Sequence, residues 1–205
     1  SRKELNRWTE VSYDDSKWEN AQRVRFPEGK VRAQIMPGMR VVAGLKVQNI
    51  KPFKNKYILD IGQNIAGWLR IKVRGNAGDS IVMRFSETLQ PNGELYTENL
   101  RSARQTDVYI LKGDPRGEEW APAFVYHGFR YVEISGLKYT PSADDFTAEV
   151  VSDEMEQTGK IETSNDVVNQ VLKNAWWGIL GNYKGMPVDC PQRDERQPWL
   201  GDRTM

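Results

Sequence analysis

In Trp68-Leu69-Arg70-Ile71-Lys72-Val73-Arg74 the side chains alternate without a break between bulky apolar and charged or amphipathic types. Successive residues of an extended chain point to opposite faces, so Leu69, Ile71 and Val73 share one face while Trp68, Arg70, Lys72 and Arg74 share the other. This is the pattern of a strand with one face in a core. Upstream, Tyr57-Ile58-Leu59-Asp60-Ile61 repeats it, and downstream so does Ser80-Ile81-Val82-Met83-Arg84-Phe85. Between the last two runs, Gly75-Asn76-Ala77-Gly78-Asp79 holds residues that tolerate positive φ, so residues 68–74 and 80–85 read as a hairpin. Further strands are expected at 108–112, 123–126, 129–135 and 146–151, separated by Gly113-Asp114-Pro115, His127-Gly128 and Thr140-Pro141-Ser142. Short strands with no helix between them predict a mainly β fold, an antiparallel β-sandwich or jelly roll.

The periodicity changes after Ser152. Ser164 or Asn165 can cap a helix with Asp166 in its first turn. Val167, Val168, Val171, Leu172, Ala175, Trp176, Ile179 and Leu180 then form one broad apolar stripe, which Gly185-Met186-Pro187 ends. So wide a stripe calls for a partner. The helix followed by a charge-dense loop reads as the first element of a helical domain, and the sequence reads as incomplete at both ends. At the other end, residues 1–52 scatter Trp8, Tyr13 and Trp18 among charges with few continuous strands, as the tail of a preceding β domain would. The expected division is therefore 1–52, a β-sandwich over 53–152, a linker at 153–163, and a helix with its loop over 164–205.

Composition removes several function classes. The 205 residues carry 29 Lys and Arg against 28 Asp and Glu, a net charge of +1, which gives no electrostatic support for nucleic acid or an anionic membrane as partner. The longest uncharged runs, at 120–129 and 174–183, fall far short of the ~20 apolar residues of a membrane span. A single cysteine excludes an intrachain disulfide framework, and one Cys with one His leaves no Cys/His zinc cluster. Oligomeric state and export are not written in these features. A periplasmic or extracellular location stays open.

The densest chemistry lies in Asp189-Cys190-Pro191-Gln192-Arg193-Asp194-Glu195-Arg196-Gln197-Pro198-Trp199-Leu200-Gly201-Asp202-Arg203. Glycosidic cleavage needs one carboxylic acid that gives a proton to the leaving oxygen and a second carboxylate across the sugar. Crowded acids and guanidinium groups are the means by which carboxyl affinities for protons are separated, and a tryptophan can stack on a sugar ring. The plainer reading of the same residues is a solvated loop whose charges neutralise one another.

The segment from Asp189 to Arg196, with Trp199, Gly201 and Asp202, resembles the signature that opens the catalytic domain of bacterial α-L-rhamnosidases, glycoside hydrolase family 78. Asp60-Ile61-Gly62-Gln63-Asn64-Ile65-Ala66-Gly67-Trp68, Phe85-Ser86-Glu87-Thr88-Leu89 and His127-Gly128-Phe129-Arg130-Tyr131-Val132-Glu133 are similar to motifs of the β domain preceding it, and Tyr13-Asp14-Asp15-Ser16-Lys17-Trp18 to a still earlier module. The resemblance implies that the helix begins an (α/α)6-barrel catalytic domain, that catalysis inverts the anomeric centre without a metal or other cofactor, and that the substrate is a rhamnose-containing oligosaccharide or glycoside. By position it makes Glu195 the general acid, Asp189 and Asp202 ligands of sugar hydroxyls, and Arg193 and Trp199 further pocket residues. The general base would lie far downstream. Pro198 departs from the glycine usual before the tryptophan.

Other residues have competing readings. His127 reads as structural, and Cys190, with no base near it in sequence, as an inert buried thiol. Asp60, Gln63, Asn64 and Trp68 either form a sugar subsite or serve turn bonding and packing. The alternative to an enzyme fragment is a non-catalytic carbohydrate-binding or interaction module, which a row of exposed aromatics on one sheet face would favour.

Overall fold

The computed structural model describes residues 5, 7–25, 28–199 and 201. Eight strands are found among them: β1 Met39–Lys46, β2 Asn49–Phe53, β3 Lys56–Val73, β4 Ser80–Ser86, β5 Thr106–Ile110, β6 Glu118–Trp120, β7 His127–Ser135 and β8 Phe146–Asp153. One helix follows, α1 Asp166–Asn182. All strand pairs are antiparallel, in the order β1-β8-β3-β7-β4-β5, with β2 and β6 also paired to β3. The mainly β, antiparallel architecture with a C-terminal helix is the one the two periodicities predict. No helix among the described residues is long and apolar enough to cross a membrane.

Strand β3 organises everything else. The runs at 57–61 and 68–74, read from sequence as two strands, are one 18-residue strand. Its continuity is hidden because Asp60 pairs with Tyr131 and Ile65 with Phe129, so that five residues of advance on β3 meet two on β7. The extra residues form a bulge at Gly62, whose φ of +89° suits glycine, and the Gly62 N–H donates to Asp60 Oδ1 at 2.7 Å. Beyond the bulge the alternation holds as expected, with Leu69, Ile71 and Val73 buried and Lys72 and Arg74 exposed.

Two expectations are corrected. The 68–74 and 80–85 runs are not a hairpin: β3 pairs with β8 over 67–71 and with β6 over 71–73, and β7 stands between β3 and β4, which pairs with β5 and β7. The connecting turn instead docks on the end of β5, where Gly78 N–H donates to Leu111 O and Leu111 N–H to Asp79 O, each at 2.9 Å. Residues 123–126 are not a strand either. Pro122 lacks the ladder N–H, Phe124 is fully exposed, and the short edge strand falls earlier, at β6. There the buried Glu118 accepts from Tyr109 Oη at 2.6 Å and from the backbone N–H groups of Lys112, Gly113 and Asp114 at 2.7 to 3.1 Å. Burial pushes its carboxyl up, but those four donors outweigh it and hold the group below the ordinary glutamate value.

The core is a single cluster in which Leu59, Leu69, Ile71, Ile81, Met83, Phe85, Phe129, Val132 and Ile134 are fully or almost fully buried. Phe85 meets Phe129 edge-on at 4.9 Å and stacks on His127 at 4.3 Å. His127 and Gly128, expected to break the chain, are the buried start of β7. Strands β1 and β2 lie before residue 53, yet they are hydrogen-bonded into this same sheet through β8 and β3.

Helix α1 begins as its cap predicts: Asn165 Oδ1 accepts from the N–H groups of Val167 and Val168 at 2.9 and 3.3 Å. The helix lies against β3 and β8, and Trp177 packs on the core, but Val167, Val168, Val171 and Ile179 of the apolar stripe remain exposed. Past its end, Lys184 is buried, with Nζ donating to the carbonyl oxygens of Leu180 (3.0 Å) and Val151. Burial, only partly opposed by Asp153, pulls this ammonium from its ordinary 10.5 down to about 8. A lowered lysine pKa means the unfolded chain binds the proton more tightly, so native stability rises with pH from about 8 to about 10.5. Urea unfolding of this chain at pH 7.5 and pH 10 should therefore show a gain of about 2–3 kcal/mol relative to Lys184→Met. An unchanged gap between the two proteins at both pH values would count against it.

Candidate active site

The stretch 189–199 packs against the start of β7, and residues from three upstream motifs lie around it. In β3, Asp60 accepts two hydrogen bonds from Arg130 of β7, at 2.8 and 3.0 Å, and the Arg130 guanidinium holds the carboxyl below the usual aspartate value. Trp68 Nε1 donates to Glu149 at 2.5 Å, and Arg70 grips the same carboxylate at 2.6 and 3.1 Å. Asp60 and Trp68 are thus consumed by structure. Gln63 and Asn64, carried outward by the bulge, line a cleft of about 600 Å³, and Asn64 Nδ2 donates to Glu87 of the second motif at 2.8 Å. The third motif makes room for the loop. A Cβ on Gly128 would come within 2.8 Å of Gln192 Cβ and 3.1 Å of Pro191 Cγ, so only glycine lets β7 and the loop touch.

His127 is buried between Gln105 Oε1 (2.7 Å) and Asp107 Oδ1 (2.9 Å), as a structural residue would be. Cys190 is buried beside Asp189, to which its thiol donates at 3.1 Å. Burial is the main cause raising its affinity for the proton.

Asp189 closes the loop on itself. Its Oδ1 accepts from Gln197 N–H at 3.0 Å, its Oδ2 from Arg193 at 3.4 Å, and its backbone N–H donates to Gln197 O. Burial pushes its carboxyl up, but the Cys190 thiol and neighbouring backbone donors prevail and leave it low. The same Arg193 nitrogen lies 2.9 Å from Glu195 Oε2, and Arg101, from the loop before β5, reaches that oxygen at 2.8 Å. Asp194 accepts from the N–H and hydroxyl of Ser102, which hold it below the ordinary aspartate value. Arg196, with φ of +44°, stacks over Tyr126 at 4.8 Å and donates to its carbonyl at 3.2 Å. The plainer reading of a solvated, self-neutralising loop is half met: the charges pair, but Asp189, Arg193 and Glu195 are largely sequestered.

Asp189, Cys190 and Glu195 place possible metal-ligand atoms within 4.8 Å of one another. The Arg193 guanidinium already neutralises both carboxylates, and a thiol kept protonated by burial is a poor ligand. The geometry therefore brings Asp189, Arg193 and Glu195 together, with Asp189 and Arg193 also lining the cleft. It leaves Trp199 half exposed and outside that lining, and Asp202 lies outside the described residues. From α1 the cleft receives Gln170, Lys173, Asn174 and Trp177, and from the turn just after β4 it receives Glu87. Of these only Glu87 stood in a motif that could have pointed to it.

A family model described as the bacterial α-L-rhamnosidase concanavalin-like domain matches residues 50–152, one described as the six-hairpin glycosidase domain of the same enzymes matches 156–205, and an α-L-rhamnosidase N-terminal domain matches 1–43. An α-L-rhamnosidase of Streptomyces avermitilis is 39% identical over 98% of this chain and 20% of its own length, and one of Formosa agariphila 37% identical over 97% and 22%. The chain thus spans about a fifth of the length of the curated relatives it matches. Among solved structures, α-L-rhamnosidase from Dictyoglumus thermophilum is 42% identical with a TM-score of 0.92, covering 98% of this chain and 23% of that one. The Streptomyces avermitilis α-L-rhamnosidase complexed with L-rhamnose is 38% identical with a TM-score of 0.88, covering 98% and 20%.

Proposed function

This chain belongs to the bacterial α-L-rhamnosidase family, and on that premise we propose that it supplies the β domain and the acid-bearing loop of an inverting glycoside hydrolase that releases terminal α-L-rhamnose. In this reading the residues before β1 close a preceding β domain, β1 and β2 join residues 53–152 in the β-sandwich, 153–163 link it onward, and 164–205 open the helical catalytic domain. Glu195 is the proton donor. Asp189 and Asp202 hold sugar hydroxyls, Arg193 and Trp199 complete the pocket, and the general base comes from elsewhere in the protein.

The observation that carries the reading is that one nitrogen of Arg193 joins Glu195 to Asp189, which itself lines a cleft of sugar size. Inversion needs two carboxyl groups roughly 6.5–9.5 Å apart with a water between them. Asp189 and Glu195 are closer than that and have a guanidinium between them, so Asp189 does not serve as the base of an inverting pair. A binding-module reading gains no support, since among the described residues the exposed aromatics Trp8, Trp18, Phe124 and Trp199 all lie off the strands.

The test is stereochemical. Proton NMR during hydrolysis of an α-L-rhamnoside by the full-length protein should show β-L-rhamnose as the first product, before mutarotation. The α anomer appearing first would mean retention, and no release of rhamnose would remove the assignment.

A further inference from the structure

We propose that Arg101 is a positioning residue for Glu195, supplied by the β domain, so that the sheet holds the acid in its working geometry. The proposal rests on the reading of Glu195 as the general acid. Four observations support it. Arg101 Nη1 lies 2.8 Å from Glu195 Oε2 and 4.0 Å from Asp194 Oδ1. Its backbone is at φ 56°, ψ −119°, away from every region an L-residue ordinarily occupies, and such strain persists only where the surroundings impose it. Those surroundings are visible on both sides. The short 3-10 helix Glu98–Leu100 before it is pinned by buried Leu100 and by Asn99 Nδ2 donating to Glu87 at 3.3 Å, and Ser102 after it is bonded to Asp194.

The chemistry explains the arrangement. Glu195 has three side-chain torsions, and its proton must be presented within hydrogen-bond reach of the departing glycosidic oxygen. Arg193 belongs to the same loop and moves with it, whereas Arg101 is 94 residues away in sequence and ties the carboxyl to the sheet. Both guanidinium groups hold Oε2, which assigns Oε1 to carry the transferred proton. As water, giving its proton to the base supplied from elsewhere in the protein, bonds to the anomeric carbon and the bond from that carbon to the leaving oxygen breaks, the proton on Oε1 passes to the leaving oxygen, and Glu195 is left as a carboxylate between two cations.

The test compares leaving groups in the full-length protein. On a rhamnosyl disaccharide, whose alkoxide departs poorly without a proton, Arg101→Ala should lower kcat roughly 10–100-fold with KM little changed, as expected for an acid displaced by about 1 Å. On 4-nitrophenyl α-L-rhamnoside, whose phenolate needs little protonation, the loss should be several-fold smaller, and Arg101→Lys should recover part of it. Equal losses on both substrates, or none, would overturn the proposal while Glu195→Gln still shows the selective loss. If Glu195→Gln spares the disaccharide, it is the acid assignment that fails. Should Arg101→Ala not fold, the same ratio measured on Arg101→Gln and Arg101→Lys decides.

Discussion

Glu195→Gln in the full-length protein should lower turnover of a natural rhamnoside by about 10²–10⁴-fold, the usual worth of general-acid assistance. The amide keeps the size of the side chain and retains an oxygen that can accept from Arg101 and Arg193, so the loop should keep its shape. What it loses is the proton. The loss should be concentrated in kcat for poor leaving groups and much reduced for an activated aryl rhamnoside, which separates a missing acid from a damaged fold. Thermal melting of the variant checks that separation directly. Full hydrolysis of the natural substrate by a folded Glu195→Gln protein would refute the role of this residue and the proposal for Arg101 with it.

Gly67→Ala is expected to destabilise the chain by about 3–5 kcal/mol, near the upper end for a single methyl group. A Cβ there would sit 1.8 Å from the carbonyl oxygen of Glu149 and 2.9 Å from its carbonyl carbon. Both are backbone atoms in the middle of β8, and Gly67 is paired with Val150 on one side and His127 on the other, so neither strand can step aside without breaking a ladder. The disturbance would reach the Trp68 and Arg70 bonds to Glu149. Gly44→Ala, one strand further over in β1, is the control. Its Cβ would meet only Thr147 Cγ2 at 3.4 Å, an ordinary contact. Urea unfolding followed by circular dichroism should rank the two far apart, with Tm falling by about 10 °C or more at Gly67. Similar curves for both would show that β3 and β8 are not locked as described.

What local pattern could announce, it announced. Period-two alternation marks Leu69, Ile71 and Val73 as buried because strand geometry acts over neighbouring residues. The cap at Asn165 and the stripe of α1 follow from a repeat of 3.6, and the unpartnered valines were foreseeable because four turns of apolar face exceed what the rest of the chain covers. The loop 189–199 could be picked out as chemistry from its charges, and its motif tied it to a family.

Partnership across the sheet could not be read in this way. The 75–79 turn is as good a hairpin turn as any, yet its strands part because β7, from far along the chain, lies between β3 and β4 and pairs with both. The bulge that carries Gln63 and Asn64 to the cleft is a mismatch of register between β3 and β7, a property of two segments that neither contains alone. Arg101 shows the same limit most sharply. Nothing in its neighbours marks it, because its meaning is a 2.8 Å contact across 94 residues, made when the strand order brings the loop before β5 beside the loop after α1. Alternation, capping and motif spacing are short-range and survive in the unfolded chain as pattern, whereas strand order, register and the company each charge keeps come into being when the sheet closes.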